Sequence, residues 1–420
     1  MKKEMKQTEI GWIPENWEVK KLGDVGEVVA GLTYSPSDVS TSGTLVLRSS
    51  NIKDGRLDYN DNVYVKMELL DRVRVCANDI LICARNGSRQ LIGKCALITK
   101  DIEGEAFGAF MSIYRSSQNP FIFQAFSSSL IQRQIQNNLG ATINQITNKD
   151  LKNFLIALPP PSEQQLITEA LSDTDAWIEG LENMLHKKRL IKQGAMQVLL
   201  RPKDGWKVKK LGEVATLKAR IGWQGLTTAE YKTSGEARLV TGTEFHAGTV
   251  HWDECHYVDF KRYQQDANIQ LRQYDILVTK DGTIGKVAFI DEVEVPTTLN
   301  SGIFVIRPIN NSFIPRFMSY ILLSDVFKDF LSKLAAGSTI SHLYQKDFVH
   351  FEFALPEIDE QINTSNVLSN IDAEISALET KLTKARRIKQ GMMQQLLTGQ
   401  IRLLNKTENS QAETLQRAIA

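Results

Sequence analysis

The sequence predicts an α+β protein with an internal pseudo-two-fold repeat, in which two mixed α/β modules are joined by two long antiparallel, coiled-coil-like helices. Three observations carry that expectation. WEVKKLGDV at Trp17–Val25 returns as WKVKKLGEV at Trp206–Val214, and LIKQGAMQVLL at Leu190–Leu200 returns as RIKQGMMQQLL at Arg387–Leu397. Within each copy, short apolar runs alternate with turn signals. Each copy then closes in a proline-free stretch whose apolar residues recur every three to four positions. One duplication of so long a period does not build a solenoid of short stacked units. It divides the chain into modules at residues 1–157 and 204–354, helical segments at 158–203 and 355–405, and a polar tail at 406–420.

In the first module, residues 45–48, 63–65, 79–82 and 94–98 read as strands between Asn-Gly, Asp-Gly and Gly-Lys turns. Residues 121–138 show helical spacing at Phe123, Phe126, Leu130 and Ile131. Their counterpart is 315–334, whose Pro315 suits a first helical turn. The repeat also pairs 78–82 with 274–278, 93–98 with 285–290, and 139–146 with 336–343.

The helical segments open on LPPPSEQQ from Leu158 and LPEIDEQI from Leu355. Ser162 with Gln165 is a candidate capping box, and Asp359 a candidate cap for the second copy. The apolar stripe of the first helix runs through Ile178, Leu181, Leu185, Ile191, Ala195 and Leu199; that of the second runs through Ile375, Leu378, Leu382, Ile388, Met392 and Leu396. A helix of about 39 residues is about 58 Å long at a rise of 1.5 Å per residue. A two-fold axis perpendicular to such a pair makes it antiparallel, and pairing covers both stripes. The alternative packs each helix on its own module. The basic runs His186–Arg189 with Lys192, and Lys384, Arg386, Arg387 and Lys389, read as solvated helix faces.

At 420 residues the chain exceeds one ordinary core, and 42% hydrophobic with 24% charged residues describes an ordered globular protein. No apolar run reaches 18 residues and no apolar segment follows the basic start, so a cytoplasmic location is expected. Cys76, Cys83, Cys95 and Cys255 lack CxxC spacing and read as buried, reduced thiols rather than a disulfide scaffold. His246, His251 and His256, with Cys255 adjacent, are five apart, which fits neither a helix face nor a finger; no metal is expected. Lys and Arg against Asp and Glu number 19 to 17 in residues 1–157 and 17 to 18 in residues 204–354. A protein gripping DNA alone would show a basic surplus; if DNA is the ligand, partners supply much of the phosphate grip.

Catalytic motifs are missing. Asn119-Pro120-Phe121 lacks the second proline of an amino-methyltransferase motif, and Thr283–Val287 lacks the glycine spacing and hydroxyl of a phosphate loop. Both Gly-Lys pairs run into strands and read as turns. No nucleophile and base stand at motif spacing, so the chain is expected to be non-catalytic.

The WxxxxLGxV opening, the LPxPxxxEQ-like helix starts and above all the IKQGMMQQLLTGQIRL ending at Ile388–Leu403 resemble the specificity subunit of type I restriction-modification enzymes. The likeness covers nearly all of the chain, in two copies. It implies two target recognition domains, each reading half of an asymmetric bipartite sequence in double-stranded DNA. It also implies that the paired helices set the half-site spacing and dock two modification subunits. It further implies that restriction subunits complete the assembly and that S-adenosylmethionine, ATP and magnesium belong to the partners. The second copy departs from the helix-start pattern at LPEIDEQI, which is expected to alter helix entry rather than function.

Bases are read by side chains that match their edges: Arg or Lys on guanine, Asn or Gln on adenine, hydroxyls elsewhere. Shared residues must hold the fold, so the candidates lie in loops where the copies differ. In the first module they are Arg48, Ser50 and Asn51; Arg85, Asn86, Ser88, Arg89 and Gln90; and Asn144 and Gln145. In the second they are Thr241, Thr243 and Glu244; Lys280, Asp281 and Thr283; and Ser341 and His342. The plainer alternative for each is a turn former or a solvated loop residue. The competing function is a duplicated protein-binding scaffold without DNA specificity.

Overall fold

The computed structural model describes residues 5–140, 144–221, 225–335 and 342–404. The chain falls into two compact units, Met1–Glu182 with Thr380–Ala420, and Asn183–Glu379. Both long helices, Pro161–Leu199 and Ile358–Leu396, are continuous, so each unit holds part of each.

In the first unit a four-stranded antiparallel sheet runs in the order Cys95–Leu97, Ile80–Cys83, Met111–Arg115, Glu27–Ala30. The second unit repeats it as Val287–Phe289, Ile276–Thr279, Ile303–Pro308, Ala215–Lys218. A parallel pair recurs as well, Thr44–Leu47 with Ala106–Phe107 and Ala237–Val240 with Thr297–Leu299. The central strand reads as an unbroken apolar run because both of its faces are covered. Ile80 and Ile82 enter the core that holds Trp17, while Leu81 and Cys83 enter a second core with Leu47 and Phe107. Ile276 and Val278 against Leu277 do the same in the other unit.

The shared residues hold these elements together. The aspartate that opens the central strand is buried and clamped by a forked guanidinium: Arg115 Nε and Nη2 donate to Asp79 at 2.8 and 2.7 Å, and Arg307 donates to Asp275 at 2.6 and 2.7 Å. Gly93 and Gly285 both sit at φ +81, in contact with a helix side chain, which no other residue tolerates cheaply. The repeat-opening tryptophans donate to the glutamate in the first turn of a long helix. Trp17 Nε1 reaches Glu163 at 2.9 Å and Trp206 Nε1 reaches Glu360 at 3.0 Å.

The long helices are antiparallel in both units. In the first, Lys389 pairs with Asp175 at 2.6 Å and Arg386 with Glu182 at 2.8 Å. In the second, Lys192 pairs with Asp372 at 2.5 Å and Arg189 with Glu379 at 2.7 Å, and Lys188 pairs with Glu374. From Asp175 to Glu182 the partner falls from Lys389 to Arg386, and from Arg189 to Lys192 it falls from Glu379 to Asp372. Lys192 and Lys389 are 197 positions apart (389 − 192), as are Asp175 and Asp372, so one pair is made twice about the pseudo-two-fold. Ile178, Leu181, Leu185, Leu382 and Leu396 are buried, each contributing about 1.5–3 kcal/mol, whereas a surface ion pair contributes about 0–1 kcal/mol. Leu396 joins the core that holds Trp17, the other four lie on the buried stripes of the two helices, and the ion pairs fix the antiparallel register.

Several expectations change here. The basic runs are not simply solvated, since five of their members cross to the other helix. Ile191 and Ile388 are exposed, while Leu199, Ile375 and Leu378 are half-buried. Ile191 follows Leu185, and Ile388 follows Leu382, by six residues, which places each about 120° off the stripe. Ser162 and Asp359 lie inside their helices, which begin one residue earlier at Pro161 and Ile358. The helix expected over 121–138 breaks into Asn119–Phe126 and Ser129–Asn138, because Ser128 caps the second piece by accepting from Ile131 N. Its counterpart breaks at Ser324 into Pro315–Leu323 and Asp325–Ala335. Cys76 is exposed; the other cysteines are buried.

Replacing Lys192 with Glu sets a carboxylate against Asp372, which also accepts from Tyr320 Oη at 2.7 Å. Denaturant unfolding is expected to show a loss of about 1–2 kcal/mol, and Lys192→Met less than about 1 kcal/mol.

Candidate nucleic-acid interface

The loops that differ between the copies converge in each module. In the first, Ala84 N and Arg85 N both donate to Phe110 O at the end of the central strand, at 3.0 and 2.9 Å, and Arg85 forms an isolated β-bridge with Gln145. Asn86 Nδ2 donates to Ser49 Oγ at 3.0 Å, tying in the 48–51 loop, and Asn144 Nδ2 donates to Gly87 O at 2.9 Å. Arg85, Ser88, Arg89, Gln90 and Ser50 are exposed, and Gln145 is half-buried. The guanidinium of Arg85 lies 5.3 Å from the centre of the Phe110 ring, itself 59% exposed. Arg89 reaches Gln136 at 3.4 Å, and Arg48 is held by Asp61 at 2.9 Å.

The second module builds the same bridge from other residues, Asp281 with His342, whose side chains are also hydrogen-bonded. Leu343 N donates to Lys280 O at 2.8 Å, and Lys280 Nζ lies 5.4 Å from the Phe304 ring. Asp281, Thr283 and Thr243 are exposed, Thr241 is half-buried and bonded to Thr243 at 2.9 Å, and the Tyr344 ring packs tilted against His342 with ring centres 4.5 Å apart. Ser341 lies outside the described residues.

Two candidates are misplaced as base readers. Asn51 is fully buried, accepting from Arg48 N and donating to Asp58 O at 2.9 Å. Glu244, at the matching place, is 1% exposed and accepts from Thr241 N, Thr241 Oγ1 and Gly242 N. Both fold a loop rather than face solvent, which is the local turn chemistry of short polar side chains. Phe110 and Tyr344 escaped sequence reading. Their one signal was an aromatic residue at a turn where burial was not required.

Each unit also carries a groove along its helices. One of about 410 Å³ is lined by Gln390, Met393, Gln394 and Leu397 with Ser128 and Leu130. The other, about 430 Å³, is lined by Gln193, Met196, Gln197 and Leu200 with Leu323 and Val326. Gln193, Met196, Gln197 and Leu200 are the repeat counterparts of Gln390, Met393, Gln394 and Leu397. Beside them, Leu190, Ile191, Val198 and Ile388 stand exposed.

The type I restriction modification DNA specificity domain matches the chain twice, over residues 14–192 and 203–386. The chain belongs to that family. It is similar to the type I restriction enzyme MjaVIII specificity subunit of Methanocaldococcus jannaschii, 23% identical over 94% of this chain and 95% of that one. It is equally similar to the StySPI specificity subunit of Salmonella potsdam, 23% identical over 95% and 92%. The fold matches the type I S subunit of M. genitalium with a TM-score of 0.60, at 16% identity over 94% and 99% of the two chains. As a type I specificity subunit it comprises two mixed α/β target recognition domains and two long antiparallel helices, with an internal pseudo-two-fold repeat. No described helix is long and apolar enough to cross a membrane.

Proposed function

We propose that this specificity subunit reads an asymmetric bipartite DNA sequence, one half with each target recognition domain, and that its paired helices set the gap and dock two modification subunits. The observation that carries this reading is the repeated β-bridge: one backbone position presents Arg85 with Gln145 in one module and Asp281 with His342 in the other. Arginine and glutamine suit guanine and adenine, whereas a carboxylate accepts from cytosine N4, so equal frames would read unequal halves. The near-neutral modules leave phosphate neutralisation to the partners. The matched apolar grooves and exposed helix residues give each partner an equivalent seat. Methyl transfer with S-adenosylmethionine, and ATP- and magnesium-dependent translocation and cleavage, fall to the modification and restriction subunits.

The gap is tested by lengthening both long helices by seven residues at mid-length, which adds about 10 Å and keeps each face within about 20°. At about 3.4 Å per base pair the gap is expected to grow by about three base pairs with both halves unchanged. Changed bases within a half, at the original gap, would sink the proposal.

A further inference from the structure

The second module carries a ligand set that linear spacing conceals. Strand Phe245–His246 pairs with Thr249–Val250, in register His246 with Thr249, through a turn at Ala247 and Gly248. Phe245 and Val250 are buried, so alternation along the strand turns His246 outward. His251 N then donates to Glu244 O at 2.9 Å, and Glu254 N folds back to His251 O at 3.1 Å. The three side chains converge. His246 Nε2 is 2.8 Å from Glu254 Oε2, His251 Nδ1 is 3.5 Å from Glu254 Oε1, and the imidazole centres are 4.3 Å apart.

One ligand atom from each residue lies within 4.8 Å of the others. Donors on a tetrahedral ion at about 2.0–2.1 Å sit about 3.3 Å from each other, so small side-chain rotations bring all three onto one ion. Two imidazoles and one carboxylate favour a borderline transition ion over calcium or magnesium, which take oxygen. Cys255 is no part of the set: it is buried, its Sγ donates to His251 O, and burial pushes its thiol up to about 12. His256 packs on Tyr231 instead, ring centres 5.2 Å apart.

We propose that His246, His251 and Glu254 bind a divalent transition ion of the zinc class, which staples the Phe245–Val250 hairpin to the turn at Trp252–Glu254. Through the His251–Glu244 backbone bond the staple orders the loop that carries Thr241 and Thr243. The site does not depend on the DNA-reading proposal, because it is measured without DNA.

The full chain, stripped with chelator, is titrated with Zn²⁺ by calorimetry and with Co²⁺ by visible absorption. One equivalent is expected, weakened about tenfold or more in His246→Ala, His251→Ala and Glu254→Gln, and unchanged in His256→Ala. Zn²⁺ should also slow amide hydrogen exchange across residues 245–254 and leave the first unit unaffected. Absence of saturable binding, or binding that persists unchanged in His246→Ala/His251→Ala, would overturn the site.

Discussion

Glu163→Ala is expected to destabilise the first unit by about 3 kcal/mol. Glu163 is 1% exposed and takes Arg402 in a forked pair at 2.6 and 2.7 Å as well as the indole N–H of Trp17. Trp17 is itself fully buried. Removing the carboxylate leaves the half-buried Arg402 guanidinium without its partner and the buried Trp17 indole N–H without an acceptor. Glu360→Ala, at the matching position, is expected to cost only about 1 kcal/mol. Its carboxylate is 37% exposed and its ammonium partner Lys203 is 53% exposed, so solvent screens the pair. Urea unfolding followed by tryptophan fluorescence distinguishes them. Equal losses would mean that burial is not what separates the two copies.

Arg85→Ala with Gln145→Ala is expected to weaken discrimination in one half-site by about 10- to 100-fold, corresponding to about 1–3 kcal/mol for a good bidentate contact. The other half should read as before, since its bridge is built from Asp281 and His342. Competition binding of the complex with modification subunits, using duplexes altered in one half at a time, measures this. Loss of preference in both halves would show that the bridge supports the fold rather than reading bases.

The repeat, the two long helices and the strand cores were legible in the sequence because each rests on a periodic apolar pattern or a matched block. The remainder depended on three-dimensional proximity. Ile191 and Ile388 belong to the repeat but not to the buried stripe, since six residues do not return a helix to the same face. Lys192 and Lys389 look like solvated lysines until the antiparallel partner supplies Asp372 and Asp175. Asn51 and Glu244 have the chemistry of base readers, and the same chemistry folds their loops. Ser128 and Ser324 resemble any other serine within a helical stretch, yet the chain breaks there. The His246, His251 and Glu254 cluster arises only when a hairpin and a short turn fold residues at unhelpful spacings against each other. Trp17 opens the WEVKKLGDV block and Glu163 lies in LPPPSEQQ, and nothing in their linear spacing joins them.

The most direct test is methylation-aware sequencing of DNA from cells that carry this chain with its modification subunits, set beside cells carrying the Arg85→Ala/Gln145→Ala variant. The expected result is one asymmetric two-part target with a fixed gap, whose first-module half alone becomes degenerate in the variant. A single uninterrupted target, or a variant that alters both halves together, would contradict the division of labour between two modules and one helical frame.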